Sequence, residues 1–181
     1  MELREIPVAE TTVYEGIIVN VRQDKAQLID GKIVSREVVE HPGGVAIFAI
    51  DEDEEVIMVK QFRYPMGEAV LELPAGKLEP GEDPKLCALR ELEEETGMRP
   101  GELHYMGCSY SSPGIFTEKI HLFFARNLQQ GEAHPDEGEF LDVLRIPLKQ
   151  LLSMVGKNQI CDAKTIVGLM KGTLHLRADV F

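Results

Sequence analysis

The sequence predicts an α+β domain, layered α-β-α, with an extra region of strands at its N-terminus. Three observations point there. Short runs rich in β-branched residues recur between turn signals, one sharply bounded helix interrupts them near the middle, and two helical segments close the chain. Strands mixed with helices in this way build a layered domain, and no internal repeat or low-complexity segment suggests otherwise. A chain of 181 residues is long enough for one domain with a real core.

Taken in order, Val13 to Val21 reads as a strand. Gln27 to Val39 reads as two more strands joined at Asp30-Gly31, a strong two-residue hairpin signal. The run His41-Pro42-Gly43-Gly44 breaks the pattern, which divides the chain into an N-terminal strand region, residues 1–40, and a main domain, residues 41–181. Val45 to Ile50 and Val56 to Phe62 read as a second pair across the acidic turn Asp51 to Glu55. A short strand, Ala69 to Leu73, then leads through Pro74-Ala75 to a loop at Gly76. The helix that follows has Asp83 as its N-cap and Pro84 at its first position, where a missing N–H costs nothing. Gly97 ends it, being free to take the left-handed conformation. Leu103 to Ser109 and Lys119 to Ala125 read as strands around Ser111-Ser112-Pro113-Gly114. A polar loop, Gln129 to Glu139, precedes a strand from Phe140 to Ile146, and helices are expected over about 148–155 and 163–170, the second capped by Asp162.

The formal net charge is −12, which argues against nucleic acid or an anionic membrane as a partner held by charge. It also means that a phosphate-bearing substrate would need bound cations to bridge anion to anion. Cys87, Cys108 and Cys161 are widely spaced, an odd count that fits reduced thiols and shows no zinc pattern. No apolar run approaches the roughly 20 residues of a membrane span and no signal-peptide pattern is seen, so a soluble, cytoplasmic protein is expected.

At roughly 100° per residue, Glu91, Glu94 and Glu95 share one sector of the central helix, with Cys87 and Ala88 leaving room beside them and Leu86, Leu89 and Leu92 pointing the other way. Like charges at this spacing repel by roughly 0.2–0.5 kcal/mol per pair, which Arg90 can offset through Glu94. Runs of charge usually mean a solvated face. Here a glycine loop precedes the helix, Glu82 sits at its mouth and the carboxylates converge, and hard divalent cations such as magnesium seek oxygen ligands of this kind.

Gly76, Glu82, Arg90, Glu91, Leu92, Glu94, Glu95, Gly97 and Met98 fill every fixed place of the signature of the Nudix hydrolases, which the chain therefore resembles. Gln61-Phe62-Arg63, the run Leu71 to Gly76, Ser112-Pro113-Gly114 and Asp136-Glu137-Gly138-Glu139 resemble the ADP-ribose pyrophosphatase branch, over roughly residues 13 to 170. The resemblance implies the Nudix fold, a mixed sheet between helices, and a magnesium-dependent cleavage of ADP-ribose to AMP and ribose 5-phosphate, with manganese a possible substitute. It implies that the Ala75 carbonyl, Glu91, Glu95 and Glu139 hold the metal, that Glu94 is a further ligand or an outer-shell group, and that Arg90 orients the glutamates. Glu137 matches the catalytic base, and Pro113 matches a proline found beyond the signature.

Other positions stay open. Arg63 follows a strand and can reach a phosphate with its planar fork, or is a surface arginine. Glu72 stands in an otherwise apolar strand, where an unpaired carboxylate would be costly. It either pairs with an arginine or accepts hydrogen bonds from substrate. Arg36 and Glu37 lie in the hairpin arm, which in similar enzymes crosses to a partner subunit, so a homodimer is expected. The alternatives to ADP-ribose hydrolysis are hydrolysis of another nucleoside diphosphate derivative or a diadenosine polyphosphate, and a sensor domain that binds ADP-ribose without turnover.

Overall fold

The computed structural model describes residues 3–136 and 138–178. They divide into two compact units, the first formed by residues up to 43 with 110–119, the second by 44–109 with the rest of the chain from 120.

The first unit is a sheet built around β3 (Asn20–Gln27). Strands β1 (Ile6–Ala9) and β2 (Thr12–Glu15) pair antiparallel with opposite ends of β3, and β4 (Ile33–Glu40) pairs with it in unbroken register from Asn20↔Glu40 to Gln27↔Ile33. The sequence suggested one strand from Val13 to Val21. Instead the chain turns between β2 and β3, where the Gly16 N–H donates to the Val19 carbonyl at 3.0 Å. The hairpin at Asp30-Gly31 is also wider than a two-residue turn. Leu28 N–H donates to Lys32 O at 2.8 Å, and the Asp30 carboxylate accepts from the Lys32 N–H at 3.1 Å, so Asp30 acts as a side-chain turn former. Strand β1 carries Pro7, which hides a strand from propensity but is tolerated at a sheet edge. Residues 110–119 join this unit through Val39, whose N–H donates to Ile115 O and whose carbonyl accepts from Thr117 N–H.

The second unit contains β5 (Gly44–Ala49), β6 (Glu55–Arg63), β7 (Glu68–Glu72), β8 (Ala75–Lys77), α1 (Pro84–Thr96), β9 (Met98–Tyr110), β10 (Lys119–Gln130), β11 (Leu141–Pro147), α2 (Leu148–Gly156) and α3 (Ala163–Ala178). One sheet runs β8-β5-β10-β9 and is mixed, since β10 is parallel to β5 and β8 antiparallel to it. A second sheet runs β11-β6-β7. The expected β5–β6 hairpin does not form: the two strands lie in different sheets and meet at one bridge, Ile50↔Val56. Both runs are apolar and buried, so local pattern cannot choose between neighbours, and both edges of β5 are taken by β8 and β10.

Alternation along β5 explains the layering. Val45, Ile47 and Ala49 face a core with Cys87, Ala88 and Leu92 of α1, while Phe48 and Ile50 face a core with Leu151 of α2 and Leu169 of α3. Fully burying each valine, leucine, isoleucine or phenylalanine among them is worth about 1.5–3 kcal/mol. On α3, Gly172 lets the helix approach so closely that an added Cβ would lie 2.4 Å from the Phe48 ring. Leu86 departs from expectation: it is exposed, and the buried face of α1 is Cys87, Ala88, Leu92, Glu95 and Thr96. One of the acids thus points into the protein.

Candidate active site

Helix α1 begins and ends where its caps dictate. The Asp83 carboxylate accepts from the Lys85 N–H at 2.8 Å, Pro84 occupies the first turn, and Gly97 sits at φ 71° with its N–H on the Glu93 carbonyl. Between these stops the acids meet one cation. Arg90 donates from Nε and Nη2 to Glu82 at 2.9 and 3.0 Å, and from Nη1 to Glu91 at 2.8 Å and Glu94 at 2.9 Å. Its hydrogen bonds hold the Glu82 carboxyl down at about 2. The same neighbours, Glu82 first, raise the Arg90 pKa. Cys87 beneath it is pushed up to about 12 by burial and then by the Glu82 charge, so it is an inert thiol.

Glu95 has no such cation bonded to it. It is 3 % exposed and accepts the Ala75 N–H at 3.0 Å. Burial raises its pKa to about 8 despite that hydrogen bond, with the charges of Glu91 and Glu139 adding to the effect. Burial likewise raises Glu91, against Arg90 and with Glu94 and Glu139. Gly76 is the floor under Glu91: an added Cβ would fall 1.8 Å from its carboxylate carbon. Glu139 reaches this group because the loop carrying it is fastened to the end of α1. Gly131 N–H donates to Gly97 O at 2.7 Å and His134 N–H to Glu94 O at 2.9 Å, and a turn at Gly138, φ 88°, closes with Glu139 N–H on Asp136 O. Glu137 lies outside the described residues.

A second polar group stands at the end of β7. Glu72 is 1 % exposed and takes a two-pronged pair from Arg63, Nε to Oε1 at 2.6 Å and Nη2 to Oε2 at 2.8 Å. The first of the two readings left open for Glu72, pairing with an arginine, is met here without bearing on the second. Lys164 of α3, which the sequence did not single out, also donates to Glu72 Oε2 and lies 3.1 Å from Asp162. The Asp162 carboxylate caps α3 through Thr165, whose hydroxyl accepts the Leu73 N–H at 2.9 Å. Burial pushes Glu72 up, but Arg63 and Lys164 outweigh it and hold its carboxyl below the usual range. Arg63 also feels the charge of Glu95, which ties the two groups together electrostatically. The one sequence signal was indirect: a carboxylate such as Glu72 at the buried end of a strand calls for counter-cations, without saying which lysine or arginine supplies them.

Arg36, Glu37 and Pro113 belong to the first unit. Arg36 forms a two-pronged pair with Glu5 at 2.9 and 2.7 Å, Glu37 stands opposite Gln23 across the β3–β4 ladder, and Pro113 lies in a turn where Ser112 O accepts from Ile115 and Phe116.

Among the described residues no three His, Cys, Asp or Glu side chains form a ready-made metal cage. Arg90 instead engages Glu91 and Glu94. The donor set nonetheless fits a hard divalent cation: every donor is an oxygen, and buried carboxylates that raise one another's pKa are stabilised by a positive ion placed among them.

Comparison with known proteins agrees with this geometry. The NUDIX domain pattern matches residues 40–166. The chain is 40 % identical to the ADP-ribose pyrophosphatase of Bacillus subtilis (strain 168), over 90 % of its own length and 89 % of that protein. It is also 40 % identical to the methanol dehydrogenase activator of Bacillus methanolicus, over 87 % and 86 %. A crystal structure of an ADP compounds hydrolase superposes with a TM-score of 0.86 at 22 % identity, covering 99 % of this chain and 98 % of that one, and shows the same fold. The chain belongs to the Nudix family of hydrolases, on the branch of the ADP-ribose pyrophosphatases.

Proposed function

We propose that the protein hydrolyses the pyrophosphate bond of ADP-ribose, or of a closely related nucleoside diphosphate sugar, giving AMP and ribose 5-phosphate. The observation that carries this reading is the buried Glu95 beside Glu91 and Glu139, with the Arg63 guanidinium near enough to be felt there. Magnesium, or manganese in its place, would be held by Glu91, Glu95, Glu139 and the Ala75 carbonyl, with Glu94 close by, and would neutralise the diphosphate and favour ionisation of water. Arg90 keeps Glu91 and Glu94 oriented, and Arg63 offers its fork to a phosphate. Glu137 takes the proton of the attacking water as the bridging P–O bond breaks. Glu72 holds Arg63 in place for that contact and remains a candidate to accept hydrogen bonds from substrate.

The molecule works as a cytoplasmic homodimer joined through its first unit, where Arg36, Glu37 and Pro113 are available to substrate. Exposed Ile6, Val8, Val13, Tyr14 and Ile33 on those strands supply the apolar surface for it. Sedimentation checks this, and a fully active monomer at micromolar concentration would refute it. The relative named for activation of methanol dehydrogenase supports a second reading, in which the chain activates a dehydrogenase. Adding it to a methanol dehydrogenase assay tests that reading, and an unchanged rate rejects it.

The decisive experiment for hydrolysis is turnover of ADP-ribose by the wild type and by Glu137→Gln. The expected result is a loss in kcat on the order of 10²–10⁴ at nearly unchanged KM. Near-normal kcat, or rescue by excess magnesium, would place the base elsewhere.

A further inference from the structure

We infer that Lys164 is a positioning residue for substrate binding: as the second cation on buried Glu72, it leaves the Arg63 guanidinium free to receive a phosphate. The inference rests on the proposed function. The group contains two cations and two anions, Arg63 and Lys164 against Glu72 and Asp162, bonded in a row from the end of β6 to the first turn of α3. Arg63 gives Nε and Nη2 to Glu72, and its Nη1 makes no hydrogen bond among the described residues. Its side chain is 39 % exposed, whereas that of Glu72 is 2 % exposed. Arg63 thus has one edge fixed inward and one edge turned away from the pair.

Charge decides what Lys164 contributes. With it present, the four groups sum to zero, and an arriving phosphate meets a guanidinium whose partner carboxylate is shared with another cation. Without it, the sum is −1 and the full charge of Glu72 bears on Arg63. Both effects oppose an anionic substrate, and they are strongest at the inner edge of Arg63, where Glu72 is buried and Coulomb interactions are less screened than at the exposed edge. The same turn of α3 fixes the backbone that leads into the metal loop, because Thr165 holds the Leu73 N–H and β8 begins two residues on at Ala75. Lys164 therefore sits where a charge can tune binding while Asp162 and Thr165 keep the backbone in place.

The test compares Lys164→Met, Lys164→Gln and Lys164→Arg by steady-state kinetics on ADP-ribose, by calorimetric affinity for ADP-ribose without metal, and by thermal melting. The Met and Gln variants should raise KM and Kd about tenfold or more while kcat stays within about threefold, and Arg should restore both. In an Arg63→Ala background, the effect of Lys164→Met on KM should shrink several-fold, because the part that travels through Arg63 is gone and only the direct change of charge remains. Unchanged KM and Kd in the Met variant, or an equal effect with and without Arg63, overturns the inference. So does a parallel loss of kcat, affinity and melting temperature that arginine does not restore, which would mean a structural role alone. A wild type that binds ADP-ribose without hydrolysing it refutes the hydrolase reading instead, and the Kd comparison then still decides the role of Lys164.

Discussion

Among the described residues Glu72 and Glu95 are the two buried glutamates, at 1 % and 3 % exposure, and their ionisation is driven in opposite directions. Glu72, at the end of β7, has Arg63 and Lys164 bonded to it and is held ionised. Glu95, on α1, has one backbone N–H and two other glutamates for neighbours, and burial raises it to about 8. Burial is nearly the same, so the counter-charges account for the difference. The chain supplies its own cations to Glu72 and completes that group. At Glu95 it supplies two more anions, with Arg63 felt only through space, an environment that a cation placed among the carboxylates would stabilise.

The largest expected effect separates the two residues by activity. Glu95→Gln should lower turnover at saturating magnesium by about 10³-fold or more, as loss of a central ligand demands, while leaving the melting temperature of the metal-free protein unchanged or higher. Steady-state kinetics and calorimetry on the same preparation check this, and activity within a few-fold of wild type breaks both the comparison and the proposed ligand role of Glu95. Glu72→Gln should instead act on the fold. It leaves part of Arg63 buried without its anion and Lys164 with Asp162 alone, and should cost about 2–3 kcal/mol in urea unfolding, below the roughly 3–5 of a fully buried pair because Arg63 is partly exposed and Lys164 keeps a partner. A cost under about 0.5 kcal/mol would show that Glu72 is not the anchor described.

The smallest effect lies in pH. The folded pKa of Glu95 is raised, so between the unfolded value of 4.5 and about 8 the unfolded chain gives up this proton while the folded chain keeps it. Its contribution makes stability fall as pH rises through that window. The folded pKa of Glu72 is lowered, so its contribution is present above 4.5 and is lost on acidification. Melting of the chelator-treated protein against pH should therefore decline toward pH 8, and Glu95→Gln should flatten the decline. A decline that persists in the variant assigns it to another group.

What the sequence revealed was what neighbouring residues decide. Asp83, Pro84 and Gly97 bound α1 because capping is local, and the acids fall together because helical spacing is fixed. Arg90 was expected to reach Glu94 and does, but its hold on Glu82 depends on the fold of the intervening turn. Long-range pairings were not readable. β5 looked like the partner of β6 and instead joined β10, far along the chain, and the glycine loop at Gly76 proved to be a strand edge against β5. Lys164 was missed for the same reason: one lysine behind a helix cap carries no pattern until α3 docks beside β7.

The two hydrogen bonds from Gly131 and His134 onto the last carbonyls of α1 also set a length scale. At roughly 3.3–3.6 Å per residue, the chain from His134 to Glu139 spans at most about 17 Å. On its other side Glu139 lies two residues before β11, where Leu141 pairs with Gln61, so its carboxylate is tethered from both ends, and its effective concentration over the acid face is set by those tethers and hardly at all by diffusion. The loop can thus vary in residues without releasing Glu139 from the acid face, and residues inserted between His134 and Glu139 lengthen one tether while β11 keeps the other short.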